Sequence, residues 1–283
     1  MLGFNGGLIG VERVPSAGAA PGVWMLQEQL LQRRKKAWPV TGDAFFDKVS
    51  LLLHGNGTNG STVFADSSTN SFAVTGFGNA QISTTQSKFG GASLGFDGSG
   101  DYLRVADNDA FEIGAGGFTF EAWIYLTGYS ANYSGSFSAM IACKDSAQSG
   151  AGRAFSFSLN GTASSWTAVG VTLFANNTTF TTTTGSFAFS LNTWYHVAAV
   201  RSGSDLRFYV DGNDVGGGTN TRTVQSTTTL VTIGAEDPWF QGGGGGNFAY
   251  WFPGYIDDLR ITKGVARYTA NFTPPSAQLP SYD

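Results

Sequence analysis

The stretch Trp194-Tyr195-His196-Val197-Ala198-Ala199-Val200-Arg201, followed by Leu206-Arg207-Phe208-Tyr209-Val210-Asp211-Gly212, constrains the fold more than any other part of the chain. Apolar and polar residues nearly alternate at its start, and the run turns fully apolar from Val197 to Val200. Ser202-Gly203-Ser204-Asp205 then breaks it. In the second run Leu206, Phe208 and Val210 share one face of a period-2 strand, and Arg207 and Tyr209 share the other. Asp211-Gly212 is a strong hairpin-turn signal, because glycine takes positive φ at no steric cost. Two strands with a turn after each are therefore written into adjacent sequence.

The remaining composition extends this pattern. The chain has 283 residues, enough to bury a full core as one large domain or two smaller ones. Forty glycines, abundant Ser and Thr, and 14% aromatic residues predict short strands joined by tight turns. Only 13% of residues are charged and the net charge is −4, so no general attraction to nucleic acid is expected. A sparsely charged surface suits a very stable extracellular particle or a face covered by neighbours. Cys143 is the single cysteine, which excludes an intrachain disulfide framework and reads as a small buried hydrophobe. No apolar run approaches the ~20 residues of a membrane span, so no membrane insertion is expected. Met1 to Gly10 carries no basic segment and no long apolar one, so no secretory leader is expected. Release of an assembled virus by lysis is one other way out of a cell.

Residues 1–47 differ in character from the rest of the chain. Met1 to Gly22 is rich in Gly, Ala and Pro and reads as an extended arm. Val23 to Lys36 is dominated by good helix formers, with Trp24, Gln27, Leu30 and Leu31 on one face. The cations Arg33 to Lys36 suit the C-terminal end of its dipole, and Trp38-Pro39 stops it. That cationic run could bind nucleic acid or membrane, but four charges in one turn are a small patch, and a solvated helix end explains them. Trp24, Leu30 and Trp38 are the candidate anchoring residues, docking on the rest of the chain, on a sister copy or on another protein.

From residue 48 to 283 the chain is a succession of strands. Ala92-Ser93-Leu94-Gly95-Phe96-Asp97-Gly98 leads to Asp101-Tyr102-Leu103-Arg104-Val105. Phe118-Thr119-Phe120-Glu121-Ala122-Trp123-Ile124-Tyr125 alternates cleanly, and Trp123 and Trp194 read as core residues. Tyr255-Ile256-Asp257-Asp258-Leu259-Arg260-Ile261 closes the series. Together with the Trp-Tyr-His and Tyr-Val-Asp-Gly runs, these segments resemble, in order, the motifs of the laminin-G-like domains of the concanavalin A-like lectin/glucanase superfamily. The resemblance implies an all-β, two-sheet antiparallel jelly-roll sandwich behind an N-terminal arm with a short helix. The arm, with Gly-Leu-Ile-Gly-Val-x-Arg-Val-Pro, Pro-Gly-Val-Trp-x-Leu-x-Glu-Gln and Trp-Pro, is similar to the leader of virion structural proteins of tailed phages of the marine and cyanobacterial type.

Several motifs are weighed for chemistry. Gly55-Asn56-Gly57-Thr58-Asn59-Gly60 matches a nucleotide-binding pattern, but no helix-forming segment comes after it to receive a phosphate. By resemblance, Asp66 and Asp257, with a carbonyl from Gly55, are candidate ligands of one structural Ca²⁺; the alternative is that Asp66 caps a turn and Asp257 or Asp258 pairs with an arginine. Two histidines and one cysteine make zinc implausible. No Glu-x-Asp-x-x-Glu strand occurs, and adjacent carboxylates such as Asp257-Asp258 point to opposite faces of a strand, so no enzyme is expected. The segment from Glu236 to Pro253 sets Trp239, Phe240, Tyr250 and Trp251 around five glycines. These aromatics are candidates for stacking on sugar rings, for contacting a neighbouring subunit, or for burial on the domain's own surface.

The resemblances imply a non-catalytic virion protein of a tailed phage, assembled in the host cytoplasm and displayed on the capsid or tail of the released particle. Its arm, residues 1–40, would contact other virion proteins or sister copies, and its loops would touch host glycan. The alternative is a carbohydrate-binding or adhesion module of a bacterial surface protein.

Overall fold

The computed structural model describes residues 42–129, 137–146, 152–236 and 250–282. Trp24, Leu30 and Trp38, and the helix expected around them, lie outside these residues.

The described strands are, in chain order, β1 (Val49–Leu53), β2 (Phe64–Ala65), β3 (Ala73–Phe77), β4 (Gln81–Ser83), β5 (Ser93–Asp97), β6 (Tyr102–Val105), β7 (Phe118–Leu126), β8 (Phe137–Ser146), β9 (Gly152–Thr162), β10 (Ser165–Phe174), β11 (Phe180–Phe189), β12 (Trp194–Ser202), β13 (Asp205–Val210), β14 (Asn213–Thr219), β15 (Val231–Ile233) and β16 (Pro253–Lys263). They form two antiparallel sheets, as expected. The first runs β14-β13-β12-β7-β16-β5-β4, with β1 also paired to β16. The second runs β11-β10-β9-β8-β15-β6-β3-β2.

Side-chain alternation fixes which faces meet. Phe118, Phe120, Ala122, Ile124 and Leu126 of β7 point into one core with Phe155, Phe157 and Leu159 of β9 and Val169, Val171 and Leu173 of β10. Within it the Phe120 ring lies 4.8 Å from that of Phe155 and 6.1 Å from that of Phe157. The expected hairpin after Val210 forms, with Asp211 and Gly212 at φ 47° and 75°, the left-handed pair that twisted two-residue turns require.

The outer face of the first sheet is covered too. Ala198, Val200 and Tyr209 pack against Ala266, Tyr268 and Phe272 of the C-terminal segment. A strand buried on both faces needs apolar residues in succession, which accounts for the run Val197 to Val200. The same cover corrects the reading of Trp123: it is buried, but on the outer face, where the Phe89 ring meets it edge-on at 5.9 Å. Trp194 is likewise outside the core, half-buried beside Tyr125.

The body begins before residue 48. Phe46 packs with Val49, Leu52 and Leu279, and the Asp43 amide donates to the Tyr282 carbonyl at 2.9 Å. Strands β2, β3, β4, β11 and β14 were not expected. Four of them, β2, β4, β11 and β14, end a sheet, where pairing on one side lets polar or glycine-rich sequence extend without hydrophobic alternation.

Candidate functional site

Among the described residues three clusters of side chains bear on the residues singled out from sequence, and two of them are closed to ligand. The first is an ionic network under the C-terminal segment. Arg260 donates to Glu121 Oε1 from Nε and Nη2 at 2.9 and 2.7 Å and to Asp43 Oδ2 from Nη1 at 2.8 Å. Arg267 grips the same Asp43 with two bonds of 2.8 and 2.7 Å. Tyr268 donates its hydroxyl to Glu121 Oε2 at 2.8 Å, and His196 Nε2 lies 3.2 Å from that oxygen. Burial works to raise Glu121, but the Arg260 guanidinium, seconded by His196 and Arg267, holds its carboxyl well below the usual range. Burial and the Glu121 charge push the Tyr268 phenol up. Glu121 is fully buried and fixed as an anion, which suits anchoring the tail.

The second place holds the carboxylates considered for calcium. Asp66 accepts from the amides of Leu52, Ser68 and Phe72 at 3.0, 2.9 and 2.9 Å and from the Ser68 hydroxyl at 2.8 Å. This is a turn cap and strand clamp, with both oxygens consumed. Asp257 and Asp258 sit at a register shift between β16 and β7, and Asp258 has φ 47°. Their carboxyls part company there. Asp257 Oδ2 accepts from the amides of Lys88 and Phe89 at 2.8 and 3.0 Å, while Asp258 takes His54 Nδ1 at 2.5 Å and the Leu279 amide at 2.8 Å. Burial dominates at Asp257, and the neighbouring Asp258 charge adds to it, pushing the carboxyl up to about 7. Gly55 lines a cavity of about 60 Å³ with His54, Asn56 and Ser67, without either aspartate. Asp257 Oδ1 is buried without a hydrogen-bond partner among the described residues, but Asp66 is saturated by protein donors and Gly55 lines a cavity that neither aspartate enters, so these three do not present the six to eight oxygens that calcium wants. Among the described residues no group of three or more His, Cys, Asp or Glu is placed to hold a metal ion.

The third place is partly exposed. On the outer face of the second sheet Tyr102 of β6 pairs with Phe77 of β3, and their rings stack at 4.6 Å with 2° between planes. Arg104, two residues along on the same face, lays its guanidinium 4.8 Å from the Phe77 centroid and 5.2 Å from that of Tyr102. Trp251 joins them, 5.9 Å from Tyr102, packing with Ala235. Tyr250 has φ 46°, and its carbonyl accepts the Met140 amide at 2.9 Å, which sets the pair beside β8. Burial, then the Glu236 charge, raises the Tyr250 phenol. Asp101 ties the adjoining loops together, accepting from the amides of Asn79 and Asp97 at 2.5 and 2.8 Å. Exposed Asn79 and Asp97 thus stand beside half-buried Phe77 and Trp251 and buried Tyr102.

Of the aromatics proposed from sequence, Trp251 packs in this cluster and Tyr250 lies beside Met140, Glu236 and Arg153; Trp239 and Phe240 lie outside the described residues. Phe77, Tyr102 and Arg104 were missed. Alternation put Tyr102 and Arg104 on one strand face, but only the pairing of β3 with β6 brings Phe77 to them.

Comparison with known proteins places the fold. No curated protein matches the chain. The binding domain of botulinum neurotoxin serotype C1 superposes with a TM-score of 0.52 at 13% identity, covering 78% of this chain and 50% of that one. The binding domain of botulinum neurotoxin DC, solved in complex with SialylT, gives 0.52 at 16%, covering 78% and 50%. Domain 4 of AbnA, a GH43 extracellular arabinanase from Geobacillus stearothermophilus, solved in complex with arabinotriose, gives 0.50 at 16%, covering 77% and 94%. The chain thus spans about half the length of the neurotoxin domains, and at such identities the likeness is one of fold. Residues 97–267 match the family described as concanavalin A-like lectin/glucanases, in its laminin-G type. That match takes in most of the sandwich, from the end of β5 through β16, and the chain belongs to the concanavalin A-like lectin/glucanases superfamily.

Proposed function

We propose that this protein is a non-catalytic glycan-binding module whose ligand lies on the Phe77–Tyr102–Trp251 platform, and that it is carried on a tailed-phage particle. The observation that carries the binding role is the aromatic cluster itself, in which half-buried Phe77 and Trp251 flank buried Tyr102 on a sheet face, with Arg104, Asn79 and Asp97 around them. Aromatic faces take the C–H face of a sugar ring, while amide and carboxylate groups take its hydroxyls. The structure of domain 4 of AbnA in complex with arabinotriose, nearly all of which superposes on this chain, is consistent with this use of the scaffold. The buried carboxylates favour binding over hydrolysis, since Glu121 is locked to Arg260 and Asp257 and Asp258 face different partners. A glycan array tests the binding role. The full chain should give reproducible hits that Trp251→Ala removes; an array without hits, or hits indifferent to Trp251→Ala, would refute it.

The virion role is supported by the similarity of residues 1–47 to phage leader sequences, with Trp24, Leu30 and Trp38 as its anchoring contacts. Deleting residues 1–40 should abolish incorporation into particles while leaving the sandwich folded. A truncated chain that incorporates as well as the full one would refute the anchor.

A further inference from the structure

A second cleft, at the end of the sandwich, is lined by Thr181, Thr219, Thr221, Thr223, Asn220 and Gln225 around Arg222, and has a volume of about 600 Å³. That volume lies within the range of small-molecule sites. Arg222 differs from four of the other described arginines, though like Arg201 it bonds no carboxylate. Arg153, Arg207, Arg260 and Arg267 each hold a carboxylate. Among the described residues Arg222 is paired with no carboxylate: Nε donates to Thr181 Oγ1 at 2.7 Å and Nη2 to the Phe180 carbonyl at 3.3 Å, leaving Nη1 without a protein acceptor.

The loop that presents it is preorganised. Fully buried Arg201 donates from Nη1 to the Arg222 carbonyl at 2.8 Å. The Arg222 amide donates to Asn220 Oδ1 at 3.2 Å, the Asn220 amide to the Ser204 carbonyl at 2.7 Å, and the Val224 amide to the Gly114 carbonyl at 3.0 Å. A buried cation placed to fix an irregular loop, and a half-buried one left without a counter-ion at its tip, together make a fixed fork for an anion. The surroundings choose the kind of anion. Thr219, Thr221 and Thr223 are exposed and make no side-chain bond within the described residues. Phe180, 51% exposed, stands beside the guanidinium through its own carbonyl. Hydroxyls, amides, one aromatic face and a planar cation match a sugar ring bearing a carboxylate better than an apolar peptide.

We propose that this cleft is a second saccharide site, selective for a hexuronate residue, whose carboxylate pairs with Arg222 and whose hydroxyls meet the threonines. It stands apart from the aromatic platform and does not rest on it. Backbone-amide NMR of the full chain, titrated separately with sodium glucuronate, glucose and sodium acetate, tests it. Glucuronate should shift the amides of Thr181 and of residues 219–225, with an affinity at least about tenfold above glucose and above acetate. Arg222→Gln should remove that preference, Arg222→Lys should restore part of it, and Trp251→Ala should leave it intact. The site is refuted as a hexuronate site if glucuronate leaves these amides unmoved, if acetate matches it, or if Arg222→Gln keeps the preference. Amide shifts elsewhere in the Arg222→Gln spectrum would report a disturbed loop, and the Arg222→Lys variant then decides. Loss of platform binding in Trp251→Ala with these shifts preserved separates the two sites.

Discussion

Glu121 and Arg260 face each other across β7 and β16, and two hydrogen bonds of 2.9 and 2.7 Å join the guanidinium to a single carboxylate oxygen. Both are buried beneath the C-terminal segment, so the pair joins tail to sheet. Glu121→Gln would leave Arg260 with part of its charge uncompensated. A loss of about 3 kcal/mol is expected in urea unfolding near neutral pH, because a buried charge without its partner keeps its desolvation cost. With its folded pKa depressed, Glu121 stabilises the fold above the ordinary glutamate range and loses that contribution only as pH falls through its depressed pKa.

Asp257 behaves in the opposite sense. Its carboxyl is raised to about 7, so between about 4 and 7 the folded chain binds more protons than the unfolded one. Its contribution is complete below the unfolded value and lost as pH rises through 7, at up to about 1.4 kcal/mol per unit. Asp257→Asn should flatten that part of the stability profile and be more stable than the parent near pH 8. An unchanged slope between about pH 5 and 8 would contradict this.

The saturation of Asp66 by protein donors leads to a prediction about calcium. Adding Ca²⁺ or a chelator should shift the melting temperature by less than about one degree, since a ligand that binds neither state shifts nothing. Asp66→Ala should instead cost about 3 kcal/mol by orphaning the amides of Leu52, Ser68 and Phe72.

The central strands were legible in sequence because they alternate or run apolar between turn residues, as Phe118 to Tyr125 and Trp194 to Arg201 do. The hairpin at Asp211-Gly212 was legible for the same local reason. What escaped was non-local. Nothing near Asp43 announces that it will meet Arg260 and Arg267, more than 200 residues away. Trp123 alternates correctly, yet whether its face is core or cover depends on Phe89 and the tail. The platform was half visible: Trp251 stands in an odd composition, whereas Phe77 lies on a short strand with no hydrophobic signature of its own.

The tail is expected to matter as much as the core strands. The Phe272 ring stacks on Tyr268 at 3.6 Å and meets His196 edge-on at 5.7 Å, and its amide donates to the Gly212 carbonyl at 2.9 Å. Phe272→Ala should cost about 2 kcal/mol and raise hydrogen exchange at residues 266–272. Gly212→Ala should be worse, because φ 75° disfavours a side chain and the added Cβ would collide with the Phe272 carbonyl oxygen.

The most direct test is the position of a bound sugar. A crystal of the full chain soaked with an oligosaccharide drawn from the array hits should show a pyranose or furanose ring in contact with Trp251 or Phe77 and hydroxyls within bonding distance of Arg104, Asn79 or Asp97. A sugar bound only elsewhere, with the Phe77–Tyr102–Trp251 surface bare, would contradict the assignment.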